Sequence, residues 1–175
     1  FQKIVGGVLA EALPSLKPET VIISIAAGVT LEQLARALGH DRKIIRAMPN
    51  TPLLLGCGCT ALCKNERTSD EEFSKVYAIF QNSGYVQELP ESKMNDVIAV
   101  NGSSPAYAYY FIEGMVDGAM KYGFDKETAK KLACYAVMGS VRMILETGTD
   151  TEELIKMVCS KGGTTERAMD ALREN

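Results

Sequence analysis

Ile4, Val5, Val8, Leu9, Ala12 and Leu13 recur at 3.6-residue spacing, the apolar stripe of an amphipathic helix. The pattern then changes to a continuous β-branched run, TVIISIAAG (20–28), which predicts a buried parallel strand closing on a turn of small residues. TLEQLARALG restores the helical period, with Thr30 as N-cap, Gln33 as its capping-box partner and Gly39 at its end. KIIRAM (43–48) and CTALCK (59–64) predict two further strands. TSDEEFSKVYAIFQNSG predicts a helix with acidic residues in its first turn and Gly84 at its end, and YVQEL (85–89) a closing strand. Alternation of strand and helix assigns this half to an α/β sheet.

From Pro90 onward no strand pattern appears. A helical pattern broken at Asn101-Gly102 leads to a long helix over 125–148, then to DTEELIKMVCS and TTERAMDALREN. The fold class is therefore α/β plus all-α, with one domain over residues 1–90 and a helical one over 91–175. Across 107–120 and 133–145 the apolar residues surround the helix instead of forming a stripe. Such helices need cover on every side. A compact helical core would supply part of it; burial against a partner subunit is the reading we favour.

Composition narrows the class. The 175 residues are 46% hydrophobic and 23% charged, with net charge -3, which fits a globular protein. The mild acidity and the lack of a basic run argue against a nucleic-acid partner. No apolar run approaches the roughly 18 residues of a membrane span. Five cysteines, an odd number, point to a reduced, cytoplasmic setting.

Three stretches carry candidate chemistry. Gly162-Gly163-Thr164-Thr165 would present unshielded N–H groups, two hydroxyls and a positive helix end, a combination suited to a small carboxylate. A plain capped turn explains it equally well. Asn50, between the prolines of AMPNTP, follows a strand at the edge where α/β sheets bind ligands, or else forms a structural turn. The small residues of SIAAG would admit a flat ring or a ribose, or simply pack. His40 is the sole histidine, so no Ser-His-Asp triad is available. Cys57, Cys59 and Cys63 have poor zinc spacing, and neither G-x-G-x-x-G nor a Walker A motif occurs.

SIAAGVTLEQL, IRAMPNTP, NGSSPAYAYYFIEGMVDGAMKYG and SKGGTTERAM, in this order and at these separations, resemble pyrroline-5-carboxylate reductase over essentially the whole chain. Members of that family are longer at both ends and open with a Rossmann βαβ unit bearing the glycine fingerprint. The resemblance thus makes residues 1–90 the later part of a Rossmann-like sheet domain, and the sequence a truncated one with weak or no activity. It implies NAD(P)H-dependent reduction of 1-pyrroline-5-carboxylate to L-proline, the last step of proline synthesis, by a homodimer or an assembly of dimers. It further implies that Glu91, Ser160, Gly162, Gly163, Thr164 and Thr165 bind substrate, with Thr165 beside the imine nitrogen as the catalytic hydroxyl. Ile25, Ala26, Ala27 and Asn50 would face NADPH or NADH. Two positions depart from the family pattern: Lys161 stands where proline is usual, and Asn101 where serine is usual. Two other readings stay open, a two-domain dehydrogenase of the 3-hydroxyacid type and a non-catalytic dimerisation module. Against the first, the surroundings of Lys93 and Lys161 do not resemble the signatures of its catalytic lysine.

Overall fold

Four strands form one sheet in the order β1-β2-β3-β4: β1 (Val21–Ser24), β2 (Lys43–Met48), β3 (Gly58–Lys64) and β4 (Gly84–Glu88). The structure, a computed structural model, describes residues 2–174. The chain divides into two compact units, Phe1–Ala108 and Tyr109–Asn175.

In the sheet unit, β1 pairs with β2 in parallel, and β3 with β4 likewise. β2 and β3, however, run antiparallel, Arg46 opposite Cys63. Strict strand–helix alternation fails here because residues 49–57 hold only a short 3-10 turn, Thr51–Leu55, and no crossover helix. Side chains of β2 alternate between two cores. Ile44 joins Leu34, Leu38 and Met94 on the face covered by α1 (Gln2–Ala12) and α2 (Leu31–Leu38). Ile45 joins Phe73 and Val76 of α3 (Asp70–Gln81) on the other. The α1 stripe is only partly used. Val5, Leu9 and Leu13 pack on the core, whereas Ile4 and Val8 face outward because the stripe is wider than the surface it covers.

The capping box of Thr30 and Gln33 forms as expected, and Ser69 with Glu72 makes a second one at α3. Gly84 does not end α3, which stops at Gln81; it opens β4 instead. Glu72 also pairs with Lys43 and accepts from the N–H and hydroxyl of Ser69. The Lys43 hydrogen bond first, then those from Ser69, hold its carboxyl at about 2 instead of its usual value near 4.5. A carboxyl depressed on folding stabilises the fold above its unfolded value and loses that contribution as pH falls toward the folded one. Wild type is therefore expected to exceed Glu72→Gln in stability at pH 7, with the gap closing between about pH 4.5 and 2. Urea denaturation across that range checks it, and a pH-independent gap would refute the assignment.

In the helical unit, α4 (Ser104–Lys121), which begins in the sheet unit, precedes α5 (Lys126–Thr147), α6 (Thr151–Val158) and α7 (Thr164–Glu174). Asp125 and Asp150 cap α5 and α6 with their carboxylates, and Gly148 closes α5 in the left-handed conformation. Val116 of α4 with Ala129 and Ala133 of α5 form a small buried cluster. Much of the remaining apolar surface is open: Tyr110 is 80% exposed and Tyr122 88%, with Phe111, Tyr135, Met138 and Leu145 also outside. The small buried cluster therefore covers only part of the apolar surface of these helices.

Candidate active site

The Gly-Gly-Thr-Thr stretch turns α6 into α7. Gly163 donates its N–H to the Ser160 carbonyl at 2.9 Å, and Gly162 is left-handed, with φ +73°. A Cβ on Gly163 would lie 2.5 Å from Ser160 Oγ and 2.9 Å from its carbonyl oxygen. The first glycine is needed for conformation and the second for close approach. Helical bonding begins with Arg167 N–H to the Gly163 carbonyl. The N–H groups of Thr164, Thr165 and Glu166 have no acceptor among the described residues. They point from the positive end of an 11-residue helix. Gly162 N–H is taken by Glu166 Oε2 at 2.7 Å. Thr164 is exposed; Thr165 is half-buried and lines an apolar groove of 480 Å³ together with Met143, Ile144, Leu154, Ile155 and Met169.

The other candidates lie in the sheet unit. Since β1 and β2 are parallel, residues 25–27 and Asn50 leave the sheet at the same edge. Ile25, Ala27 and Gly28 are exposed there and Ala26 is half-buried. Asn50 is clamped by backbone groups: its Oδ1 accepts from Cys59 N–H at 2.9 Å, and its Nδ2 donates to the Asn101 carbonyl at 3.1 Å. Asn101, only 4% exposed, donates from Nδ2 to the carbonyls of Met48 and Cys59, while its Oδ1 has no partner among the described residues. The second hydrogen of the Asn50 amide has no acceptor among the described residues.

Glu91 Oε1 accepts from Leu31 N–H at the start of α2, at 2.5 Å, and from Arg46 Nη1 at 3.1 Å. The Arg46 side chain is 5% exposed, and its Nη2 reaches Asn95 Oδ1 at 3.1 Å. Burial pushes the neighbouring Cys63 thiol up to about 11, so it stays protonated and inert at neutral pH. Burial likewise raises Cys59. Among the described residues no group of three or more His, Cys, Asp or Glu could hold a metal, and no helix is long and apolar enough to cross a membrane.

The structure therefore gathers Ser160, Gly162, Gly163, Thr164 and Thr165 into one turn of the helical unit, and places Ile25, Ala26, Ala27, Asn50 and Glu91 in the sheet unit. Sequence reasoning does not single out Arg46 or Glu166, and it meets Asn101 as a break in the helical pattern and a departure from the family pattern, with no role assigned. A lone arginine within the apolar KIIRAM is the available signal for the first, since a buried guanidinium demands a carboxylate. The partners of Asn101 are set by tertiary geometry, and that of Glu166 by the shape of the turn.

Comparison with known proteins gives a consistent picture. A family model described as pyrroline-5-carboxylate reductase dimerisation matches residues 91–175. The pyrroline-5-carboxylate reductase of Escherichia coli strain K12 is 50% identical over 167 residues, 95% of this chain and 62% of that protein. The chain thus spans less than two thirds of the length of that curated relative. A crystal structure of the Plasmodium falciparum pyrroline carboxylate reductase with NADP bound superposes with a TM-score of 0.94 at 33% identity, covering 99% of this chain and 70% of that one. The Coxiella burnetii enzyme superposes at 0.85 with 35% identity, covering 97% and 64%. A likeness this close in sequence and in fold, carried through both units, places the chain in the pyrroline-5-carboxylate reductase family.

Proposed function

We propose that this chain contributes the substrate-binding part of an NAD(P)H-dependent reductase that converts 1-pyrroline-5-carboxylate to L-proline, the last step of proline synthesis. The observation that carries the reading is the α7 start: three N–H donors without acceptors among the described residues, flanked by the hydroxyls of Thr164 and Thr165, in a chain of this family. The substrate carboxylate is held by those N–H groups and the positive helix end. Thr165 Oγ1 then sits by the imine nitrogen. That nitrogen gains a proton as the C=N carbon gains a hydride, and a hydroxyl there orients the ring and relays or stabilises the proton. The apolar groove that Thr165 lines suits the methylenes of a five-membered ring.

The bound nicotinamide cofactor, NADPH or NADH, would supply the hydride. Ala26, Ala27 and the free hydrogen of the Asn50 amide fit its ring and ribose, because small side chains leave that sheet edge open. The two-domain division proposed for this chain is a Rossmann-like part over 1–90 and a helical part over 91–175; the family match beginning at Glu91 supports it, while residues 91–108 pack within the sheet unit. The apolar surface of α4 and α5 supports a homodimer. Five free thiols support a cytoplasmic setting.

Calorimetric titration with L-proline tests the reading. Thr165→Val, isosteric but without a hydroxyl, is expected to weaken binding about tenfold, and Thr165→Ser to keep it. Equal affinity in all three would leave the threonine as a helix residue only.

A further inference from the structure

Backbone pairing between β2 and β3 ends with Met48 opposite Ala61, and two residues further out Asn50 falls opposite Cys59. There the Asn50 side chain takes over from the ladder, its Oδ1 accepting from Cys59 N–H at 2.9 Å. Its Nδ2 donates at 3.1 Å to the carbonyl of Asn101, which lies in a π-helical turn over Ile98–Gly102. The Asn101 side chain closes the ring, with Nδ2 donating to the carbonyls of Met48 at 2.7 Å and Cys59 at 3.2 Å. We infer that Asn101 is a positioning residue for the nicotinamide cofactor: by locking the π turn onto the ends of β2 and β3 it fixes the Asn50 amide, whose second hydrogen is the cofactor contact. This rests on the reading, given above, of that sheet edge as the cofactor's.

The π turn is closed by the Ser103 N–H, which donates to the Ile98 carbonyl at 2.8 Å. Such single turns recur at functional sites. Turn and strand lie so close that a Cβ on Gly102 would come 2.8 Å from the end of the Met48 side chain. Asn101 itself is 4% exposed, and its Oδ1 has no partner among the described residues. A buried acceptor left unmet adds nothing to the fold. The hold of Asn101 on the edge is therefore exerted through its two amide donors. Asn50, by contrast, is half-buried at the open edge. With one amide hydrogen tied to the Asn101 carbonyl and its oxygen tied to Cys59, the direction of the other hydrogen is set. A donor already fixed loses less freedom on binding than one that rotates. Asn101 thus acts on the cofactor through Asn50, with no contact of its own required.

Titration of the full chain with NADPH, followed by NMR on the side-chain amide of Asn50, is the experiment, with L-proline as the control ligand. Asn101→Ser keeps one donor, and Asn50→Ala removes the contact. Each is expected to weaken NADPH binding about three- to tenfold, the scale of one hydrogen bond, and to leave L-proline binding unchanged. The double variant should bind NADPH no more weakly than Asn50→Ala alone, because Asn101 acts through Asn50. Asn101→Ser with wild-type NADPH affinity overturns the inference, as does a double variant in which the two losses multiply; both leave the cofactor reading standing if Asn50→Ala weakens binding. Equal weakening of L-proline binding also overturns it, since the effect would then be on the whole fold. A second check needs no substitution. In the free wild type, the Asn50 hydrogen bonded to Asn101 should exchange more slowly than its partner, and NADPH should slow the partner. Two equally fast hydrogens overturn the inference even if Asn101→Ser fails to fold. A folded wild type whose Asn50 amide does not respond to NADPH overturns the cofactor reading of the edge, and the inference with it.

Discussion

Glu91→Ala is expected to destabilise the sheet unit by about 2 to 4 kcal/mol, the scale of breaking a buried charge pair that keeps part of its hydrogen bonding. Arg46 is held in a strand core with its side chain 5% exposed, and Glu91 is its carboxylate partner. Loss of that carboxylate leaves a guanidinium out of water, with the Asn95 amide oxygen as its remaining side-chain acceptor among the described residues. The first turn of α2 loses an anionic acceptor at Leu31 N–H in the same stroke. Glu91→Gln keeps an acceptor in place and should cost roughly half as much. Denaturant midpoints decide the matter. If Glu91→Ala matched wild type, the residue would have no part in holding the sheet, and a role in ligand contact alone would be left to it.

The larger effect is expected from Gly84→Ala. Gly84 opens β4 with φ +138° and pairs with Gly58 across the sheet. A Cβ there would run into the backbone oxygen, nitrogen and carbon of Gly58. Gly58 cannot retreat, because it lies close against Leu53 and its N–H is bonded to the Ser83 carbonyl at 2.8 Å. Left-handed strain and overpacking together set the cost at about 3 to 5 kcal/mol. The damage should reach the sheet edge that carries Asn50, since Cys59 next to Gly58 fixes the Asn50 amide. Chemical denaturation measures the loss, and a change under about 1 kcal/mol would show that β4 can shift without penalty.

Local signals explain what can be read from the sequence. Thr30 with Gln33, and Gly148 closing α5, are interactions within a few residues, and they form where the periodicity places them. The all-round apolar helices call for cover on every side, and much of that surface is left exposed within the single chain. What escapes is long-range. Arg46 meets Glu91 across 45 positions and Asn50 meets Asn101 across 51, and no spacing rule links such pairs. The antiparallel turn between β2 and β3 is within reach, because nine residues without helical pattern cannot make a parallel crossover. Gly84 misleads because a glycine after a helix usually ends it, and the clash with Gly58 that requires it lies on another strand.

Amide hydrogen exchange across residues 160–167, with and without saturating L-proline, tests the central claim most directly. The open donors of Thr164, Thr165 and Glu166 lack acceptors among the described residues and should exchange quickly in the free chain. With L-proline bound, the account predicts that they slow together, while amides within α3 do not change. Saturable binding that leaves these three amides at their free rates would contradict it, because the carboxylate would then be held elsewhere.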